Sequence, residues 1–418
     1  MKATLIVRAR HQGADKPAAS RRGRGGNTRY IGEVQLPTLA IRDPPMAMNT
    51  AQRLPASLTA LDAALAAFLH GIESVAVVEL PLREALGCVV AEMPPVKAYP
   101  QHDVAQADGW AFRARDLVGA SSYTPLPLTM PARWVEAGDP IPTGCDCVIE
   151  ADAIDQTGPI LQVLTEAPPG HGVRRSGDDF PDGFVVASGT RLRPLDILFA
   201  RAAELEKMRV RRPRLRVVNV PATSGEIETA QLIQESARCA GADVTFAKAL
   251  SREVASIADA LQVDDCDLLV TVGGCGVGRT DATVLAIGQR GDVIAHGLAL
   301  RPGGTSAVGQ IGNTPVIALS GSAAGALAGW WTLALPVLDR LSGRQPRETS
   351  ILPLARKLAS SVGIAEIALL ERKDDCWVPL ALGDLSFQAI IKAHAWLTVP
   401  GSSEGFAAGT PVGAYMLR

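Results

Sequence analysis

Aromatic side chains are scarce. Phe, Trp and Tyr together make up 4% of the 418 residues, so the chain has little from which to build the stacking platforms that hold single-stranded nucleic acid. Long apolar runs are also missing, and no stretch reaches the roughly 18 residues from which a membrane-spanning helix is built. The twin arginines Arg21-Arg22 lack the apolar segment of a secretory signal. Cysteine is sparse and odd in number, seven in all, which points to reduced thiols in the cytoplasm rather than to a disulfide framework. Cys145-Asp146-Cys147 has no second pair at zinc spacing, and its thiols read as small buried residues on one face of a strand. Net charge is only −2.

That charge is unevenly distributed. Residues 1–49 hold nine Lys/Arg against three Asp/Glu, an excess of six positive charges, so the remainder carries eight negative ones. A body of that sign does not advertise nucleic-acid or anionic-membrane binding. The basic, glycine-rich tract Arg21-Arg22-Gly23-Arg24-Gly25-Gly26 has too little apolar surface for a core. Residues 1–50 are therefore expected to be a disordered basic extension or an over-extended start ahead of Met46 or Met48.

What is present is globular: 47% apolar and 20% charged residues, in a chain long enough for several domains. Ser57 precedes a helical stripe of Leu58, Leu61, Leu65, Phe68 and Leu69. A second apolar pattern runs from Val75 to Met93 and stops at Pro94-Pro95. Short alternating runs separated by Gly and Pro then imply a small β-domain at about 104–170, inserted within 51–212. Across 213–345, apolar runs of strand length alternate with helical stretches, the pattern of a doubly wound α/β domain. Its strands are expected at Leu215 to Val220, Val244 to Lys248, Leu268 to Val272, Val293 to His296, Ser306 to Val308 and Val316 to Leu319. Helices are expected at Glu226 to Ala240, at Arg252 to Leu261, from Asp281 onward, and from Ser322 to Leu341. Residues 346–418 return to short strands and read as a separate β-domain.

The chemistry concentrates where Leu268–Val272 runs into Gly273-Gly274-Cys275-Gly276-Val277-Gly278. An unbroken apolar run reads as a buried parallel strand, and such sheets bind ligands beyond their carboxyl ends. Glycines there let N–H groups approach an anion, and the next helix N-terminus favours negative charge. The spacing is neither a dinucleotide fingerprint nor a P-loop. A tight connection in an α/β sheet remains the simplest alternative. A second strand-to-helix turn, Ser320-Gly321-Ser322, would bring another helix N-terminus to the same crevice, with Arg301 at its edge and able to grip a phosphate. Asp281 would sit beside the bound polyanion, as an N-cap or as a carboxylate sharing a divalent cation with it. Asp103 and Asp108, with His102, form a second acidic patch at no standard metal spacing.

Several motifs lie in the order found in the molybdopterin molybdenumtransferase family of MoeA type, which includes the C-terminal part of gephyrin. Asp103–Ala111 resembles D-N-S-A-M-D-G-Y-A, Ala137–Val148 resembles T-G-A-P-L-P-x-G-A-D-A-V, and Val173–Asp179 resembles V-R-x-x-G-E-D. Thr271–Asp281 is similar to S-S-G-G-V-S-V-G-x-x-D, and Leu300–Gly304 to M-K-P-G-K. The match covers about residues 55–418. It implies an elongated multidomain subunit, α/β plus β, whose molybdopterin-binding domain is 213–345. It also implies a homodimer whose cleft lies between that domain and the partner's middle domain. The reaction implied is insertion of molybdate into adenylylated molybdopterin with Mg²⁺-dependent release of AMP.

Carried onto this sequence, the resemblance makes Asp281, Glu226 and Asp108 candidate catalytic residues, with Asp281 the Mg²⁺ ligand. Gly273, Gly274, Gly276, Gly278, Arg301, Ser320, Gly321, Ser322, Arg174 and Asp179 become candidate pterin-binding residues. A molybdoenzyme or another cofactor-biosynthesis protein is the implied macromolecular partner. The chain departs from the pattern at Ala137 (Thr), Arg301 and Gly304 (both Lys), and Ser320 and Ala323 (both Pro). A non-catalytic molybdopterin-binding or carrier protein is the second reading these departures leave open.

Overall fold

The computed structural model describes residues 52–128, 132–157, 160–222 and 227–417. The basic extension and Glu226 lie outside them. Among the described residues no helix is long and apolar enough to cross a membrane, and all seven cysteines are free.

A six-stranded sheet carries the chemistry-bearing turns. Strands Asp243–Lys248, Arg214–Asn219, Leu268–Val272 and Thr314–Leu319 run parallel in that spatial order. Ala307–Ile311 and Asp292–His296 continue the sheet antiparallel. Leu268–Val272 is central and every residue in it is buried, as an unbroken apolar run requires when both faces are covered. Alternate residues feed two cores. Leu215, Val217, Leu268, Val270 and Val272 pack with helix Glu228–Cys239 and the long helix 323–342. Val218, Leu269, Val316 and Ala318 pack with helices Val254–Ala260 and Thr283–Arg290 on the other face. Helices on both faces make the sheet doubly wound.

The long helix starts at Ala323, passes through one π turn at Trp330–Ala334, and ends at Gly343, whose left-handed φ of 63° closes it. Its apolar face joins two layers. Trp331 stacks on Trp396, with ring centroids 5.2 Å apart, and Leu333, Leu335 and Val337 share one core with Ala365, Ile367 and Leu369. The C-terminal strands, expected as a separate β-domain, share this core on one face and build one of their own around Leu354, Leu370 and Trp377 on the other. Strand Leu298–Arg301, which was not among the expected strands, adds a second link: it lies between Thr59–Ala60 and Ala365–Lys373, parallel to both.

The middle of the chain forms three smaller cores, one of them around Ala105, Ala111, Val135, Val148 and Val173. Lys207–Arg211 pairs with both Val78–Pro81 and Val89–Glu92 over a core containing Leu82, Val90, Phe180, Ile197 and Met208. The Val75–Met93 pattern thus resolves into two strands around one short helix, Leu82–Ala85. Between these segments, Gly109–Phe112 pairs with Arg133–Val135 and Cys147–Glu150. Phe112, Leu117, Cys147 and Ile149 fill the core beneath.

Candidate functional site

The carboxyl ends of three adjacent parallel strands meet at the glycine turn. The chain leaves the central strand through Gly273 and Gly274, at φ +97° and +68°, a region open to glycine and costly for other residues. A Cβ on Gly273 would lie 2.7 Å from the Val220 carbonyl, and one on Gly274 would lie 2.4 Å from Thr283 Oγ1. The turn then folds back onto helix Thr283–Arg290. Thr283 Oγ1 donates to the Gly273 carbonyl at 2.8 Å and Thr283 N–H to the Gly274 carbonyl at 3.0 Å.

Gln52 locks the same turn from outside the α/β layer. Its side chain is 4% exposed. Nε2 donates to the carbonyls of Gly276 at 2.6 Å and Gly274 at 3.3 Å, and Oε1 accepts the Val284 N–H at 2.9 Å. That N–H belongs to the first turn of its helix, where backbone donors lack partners within the helix. Cys275 points inward, with Sγ 3.8 Å from Thr305 Oγ1. Burial pushes its pKa up to about 11, so it remains a neutral thiol at physiological pH.

The later glycines have an unexpected neighbour. Asp281 Oδ2 accepts the Gly278 N–H at 2.8 Å. A Cβ on Gly276 or Gly278 would stand 2.6 Å or 2.9 Å from that same oxygen. These glycines make room for a carboxylate of their own loop, a requirement separate from any ligand. Asp281 lies one residue ahead of the helix N-cap, which is Ala282, without a side-chain capping bond. Asp281 Oδ1 is taken by Arg252. The same guanidinium donates to Thr280 Oγ1 at 2.9 Å and to the Pro221 carbonyl at 2.7 Å. Arg252, which follows strand Asp243–Lys248, thereby ties its own turn to those after Arg214–Asn219 and Leu268–Val272.

The neighbouring turn lies against this one. A Cβ on Gly321 would stand 3.5 Å from the Gly273 Cα, and Gly273 N–H donates to the Leu319 carbonyl at 2.9 Å. Ser322 is the N-cap of the long helix, its Oγ accepting the Gly325 N–H at 3.3 Å, and Ser320 Oγ accepts the Ser322 N–H at 3.2 Å. Together these turns present one helix N-terminus, a glycine loop and a fixed guanidinium, a surface chemically suited to an anion. Asn219, at the end of its strand, is 3% exposed. Its Nδ2 has no partner among the described residues.

The Arg301 side chain is half exposed, and its guanidinium uses one nitrogen for an ion pair. It pairs with Glu366 at 3.0 Å, and that carboxylate, only 5% exposed at its side chain, also accepts from Ser360 Oγ at 2.7 Å and Ser361 N–H at 3.2 Å. The strand Leu298–Arg301 carries the guanidinium into the C-terminal layer. The following turn nevertheless packs on the long helix, where a Cβ on Gly303 would meet the Gly325 carbonyl at 3.0 Å.

Asp108, Arg174 and Asp179 form a second group, in the middle of the chain. Arg174 pairs with Asp179 at 3.2 Å, and both line a cavity of about 750 Å³ with Tyr99, His102, Gly138 and Glu204. Asp108 Oδ1 accepts the Ala137 N–H at 2.8 Å and so fixes the Ala137–Gly138 turn at the rim. Asp103 holds Ser176 N–H in the same way at 2.9 Å. Among the described residues no hydrogen bond or ion pair links this group to the glycine turn. No group of three or more His, Cys, Asp or Glu side chains there could hold a metal ion.

Residues 59–203 match the family described as MoeA N-terminal region (domain I and II), and residues 222–340 match the family described as probable molybdopterin binding domain. A putative molybdopterin biosynthesis protein of Methanocaldococcus jannaschii is 24% identical over 83% of this chain and 94% of its own length. Molybdopterin molybdenumtransferase 2 of Mycobacterium tuberculosis is 28% identical over 64% of this chain and 75% of its own. Among solved structures, a molybdopterin biosynthesis MoeA protein of Pyrococcus horikoshii matches with a TM-score of 0.64 at 22% identity. That match covers 86% of this chain and all of the other, and it bears on the fold alone.

Proposed function

The chain belongs to the MoeA family, and from that premise we propose that it is a molybdopterin molybdenumtransferase acting in molybdenum cofactor biosynthesis. It inserts molybdate into adenylylated molybdopterin with release of AMP. The observation that carries this reading is the carboxyl edge of the sheet, where the glycine turn lies against the turn capped by Ser322 and is braced through Asp281 by Arg252. A phosphorylated pterin would be held there by backbone N–H groups and positive charge. Gln52 and Thr283 keep the turn in one shape before the ligand arrives, so little ordering cost remains for binding. The free thiols are consistent with work in the cytoplasm.

Asp108, Arg174 and Asp179 belong to this reading as the half of the site supplied by a second copy. Their cavity sits over a core distinct from that beneath the glycine turn, so a homodimer is the arrangement that would complete the cleft. The resemblance further implies Mg²⁺ at Asp281. Oδ1 of that carboxylate is held by a guanidinium and Oδ2 by a backbone N–H. A dication at the same carboxylate would lie within a few ångströms of Arg252, where like charges repel. The described residues therefore do not fit a Mg²⁺ site at Asp281, and no step is assigned to the ion.

Expression of the full chain in a bacterial strain lacking its own molybdenumtransferase tests the proposal. Restored molybdoenzyme activity is the expected result. Expression without any restoration, at the high molybdate concentrations that bypass weak affinity included, would count against it.

A further inference from the structure

Three of the five N–H groups of Arg252 are committed, to Thr280 Oγ1, the Pro221 carbonyl and Asp281 Oδ1. The other two have no partner among the described residues. The side chain is 23% exposed and its partner Asp281 15%, so the pair is held against the loop rather than waving in solvent. A guanidinium fixed by three bonds, with two donors to spare, is preorganised for a phosphate group. It also cancels the charge of Asp281, the carboxylate around which the glycine turn folds. Arg301, which the sequence reading placed at this edge, pairs through one nitrogen with Glu366, and the turn after it carries Gly304.

We propose that Arg252, in place of a divalent cation, supplies the positive charge that holds the ligand's phosphate against the Gly273–Gly278 turn. Arg252 is then a ligand-binding residue and Asp281 the positioning residue that aims it. The inference rests on the molybdopterin reading above, and its test separates the two.

The full chain is titrated calorimetrically with molybdopterin and with adenylylated molybdopterin, once in a metal chelator and once in excess Mg²⁺. The wild type is expected to bind equally well in both. Arg252→Gln is expected to lose about tenfold or more in affinity in chelator, as the loss of charge-assisted hydrogen bonds would produce. Mg²⁺ should restore part of that loss, because Asp281 is then open to the ion. Arg252→Lys should fall between the two. Arg252→Gln combined with Asp281→Asn removes the stranded carboxylate, keeps the variant foldable, and should bind weakly with no response to Mg²⁺. Wild-type binding that disappears in chelator and returns with Mg²⁺ would overturn the inference while leaving the transferase reading intact. Wild-type affinity in folded Arg252→Gln would overturn it as well. If the wild type bound neither pterin under either condition, the functional proposal would fall and this inference with it.

Discussion

Replacing Gln52 by alanine should unlock the glycine turn. The amide makes three bonds across more than 220 residues of sequence separation, to Gly274, Gly276 and Val284. Not all three count equally. The Gly274 carbonyl keeps its bond from Thr283 N–H, so its loss of Nε2 is tolerable. The Gly276 carbonyl and the Val284 N–H have no other partner among the described residues. A buried polar group left unpaired costs ~1–3 kcal/mol, so the two together predict a loss of about 2–6 kcal/mol, reduced because the Gly276 bond is only part-buried and water can enter the space vacated. Urea unfolding of wild type and Gln52→Ala at equal slope gives the difference directly. Gln52→Glu is the sharper companion, because it keeps an acceptor for Val284 but sets a carboxylate against two carbonyls. It should be at least as destabilised as the alanine variant. A loss below ~0.5 kcal/mol in Gln52→Ala, the range of an unremarkable surface substitution, would refute the reasoning.

Gly276→Ala should destabilise by forcing its Cβ against Asp281 Oδ2, 2.6 Å away. Adding Asp281→Ala should relieve that clash, so a double-mutant cycle should show coupling, and strict additivity would argue against it. Ser322→Ala removes the cap of the long helix and should cost about 1 kcal/mol in chemical denaturation; no change would show that the cap is redundant. Burial raises Cys266 and Cys275 to about 11 from an ordinary 9.0. Above pH 9 the unfolded chain loses these protons first, so stability should be level below that pH and fall as pH rises toward 11. Exposed Cys239 should react with iodoacetamide in the native protein at pH 8, while Cys275 should stay unmodified until the protein unfolds. Rapid native labelling of Cys275 would contradict its place in the core.

The sheet was legible where residue pattern and burial coincide. Leu268–Val272 is continuous apolar sequence because both its faces are covered, and its limits match the observed strand. Ser322 is an N-cap ahead of an apolar helix, and it caps one. What stayed hidden depends on contacts distant in sequence. Gln52 has no local signature, since its three partners lie beyond residue 270. Arg252 could have been suspected, because it follows a parallel strand on the edge where the glycine turn emerges, but in isolation it reads as the start of a helix. Arg301 was placed at this edge as a cation able to grip a phosphate. Its ion pair with Glu366 follows from the parallel pairing of Leu298–Arg301 with Ala365–Lys373, and that register is invisible without the C-terminal layer. Gly276 and Gly278 were read as space for a ligand, whereas the nearest atom they accommodate belongs to Asp281. The family resemblance supplied the reaction, which no spacing within the chain could have shown.

On the function proposed, the carboxyl edge of the sheet handles adenylylated molybdopterin as a substrate. Purified full-length protein, supplied with that compound and molybdate, should release AMP in step with the appearance of molybdenum-loaded pterin, and release should be lost on omitting molybdate. Binding of the adenylylated pterin without any molybdate-dependent AMP would contradict the transferase account and leave a protein that only carries the pterin.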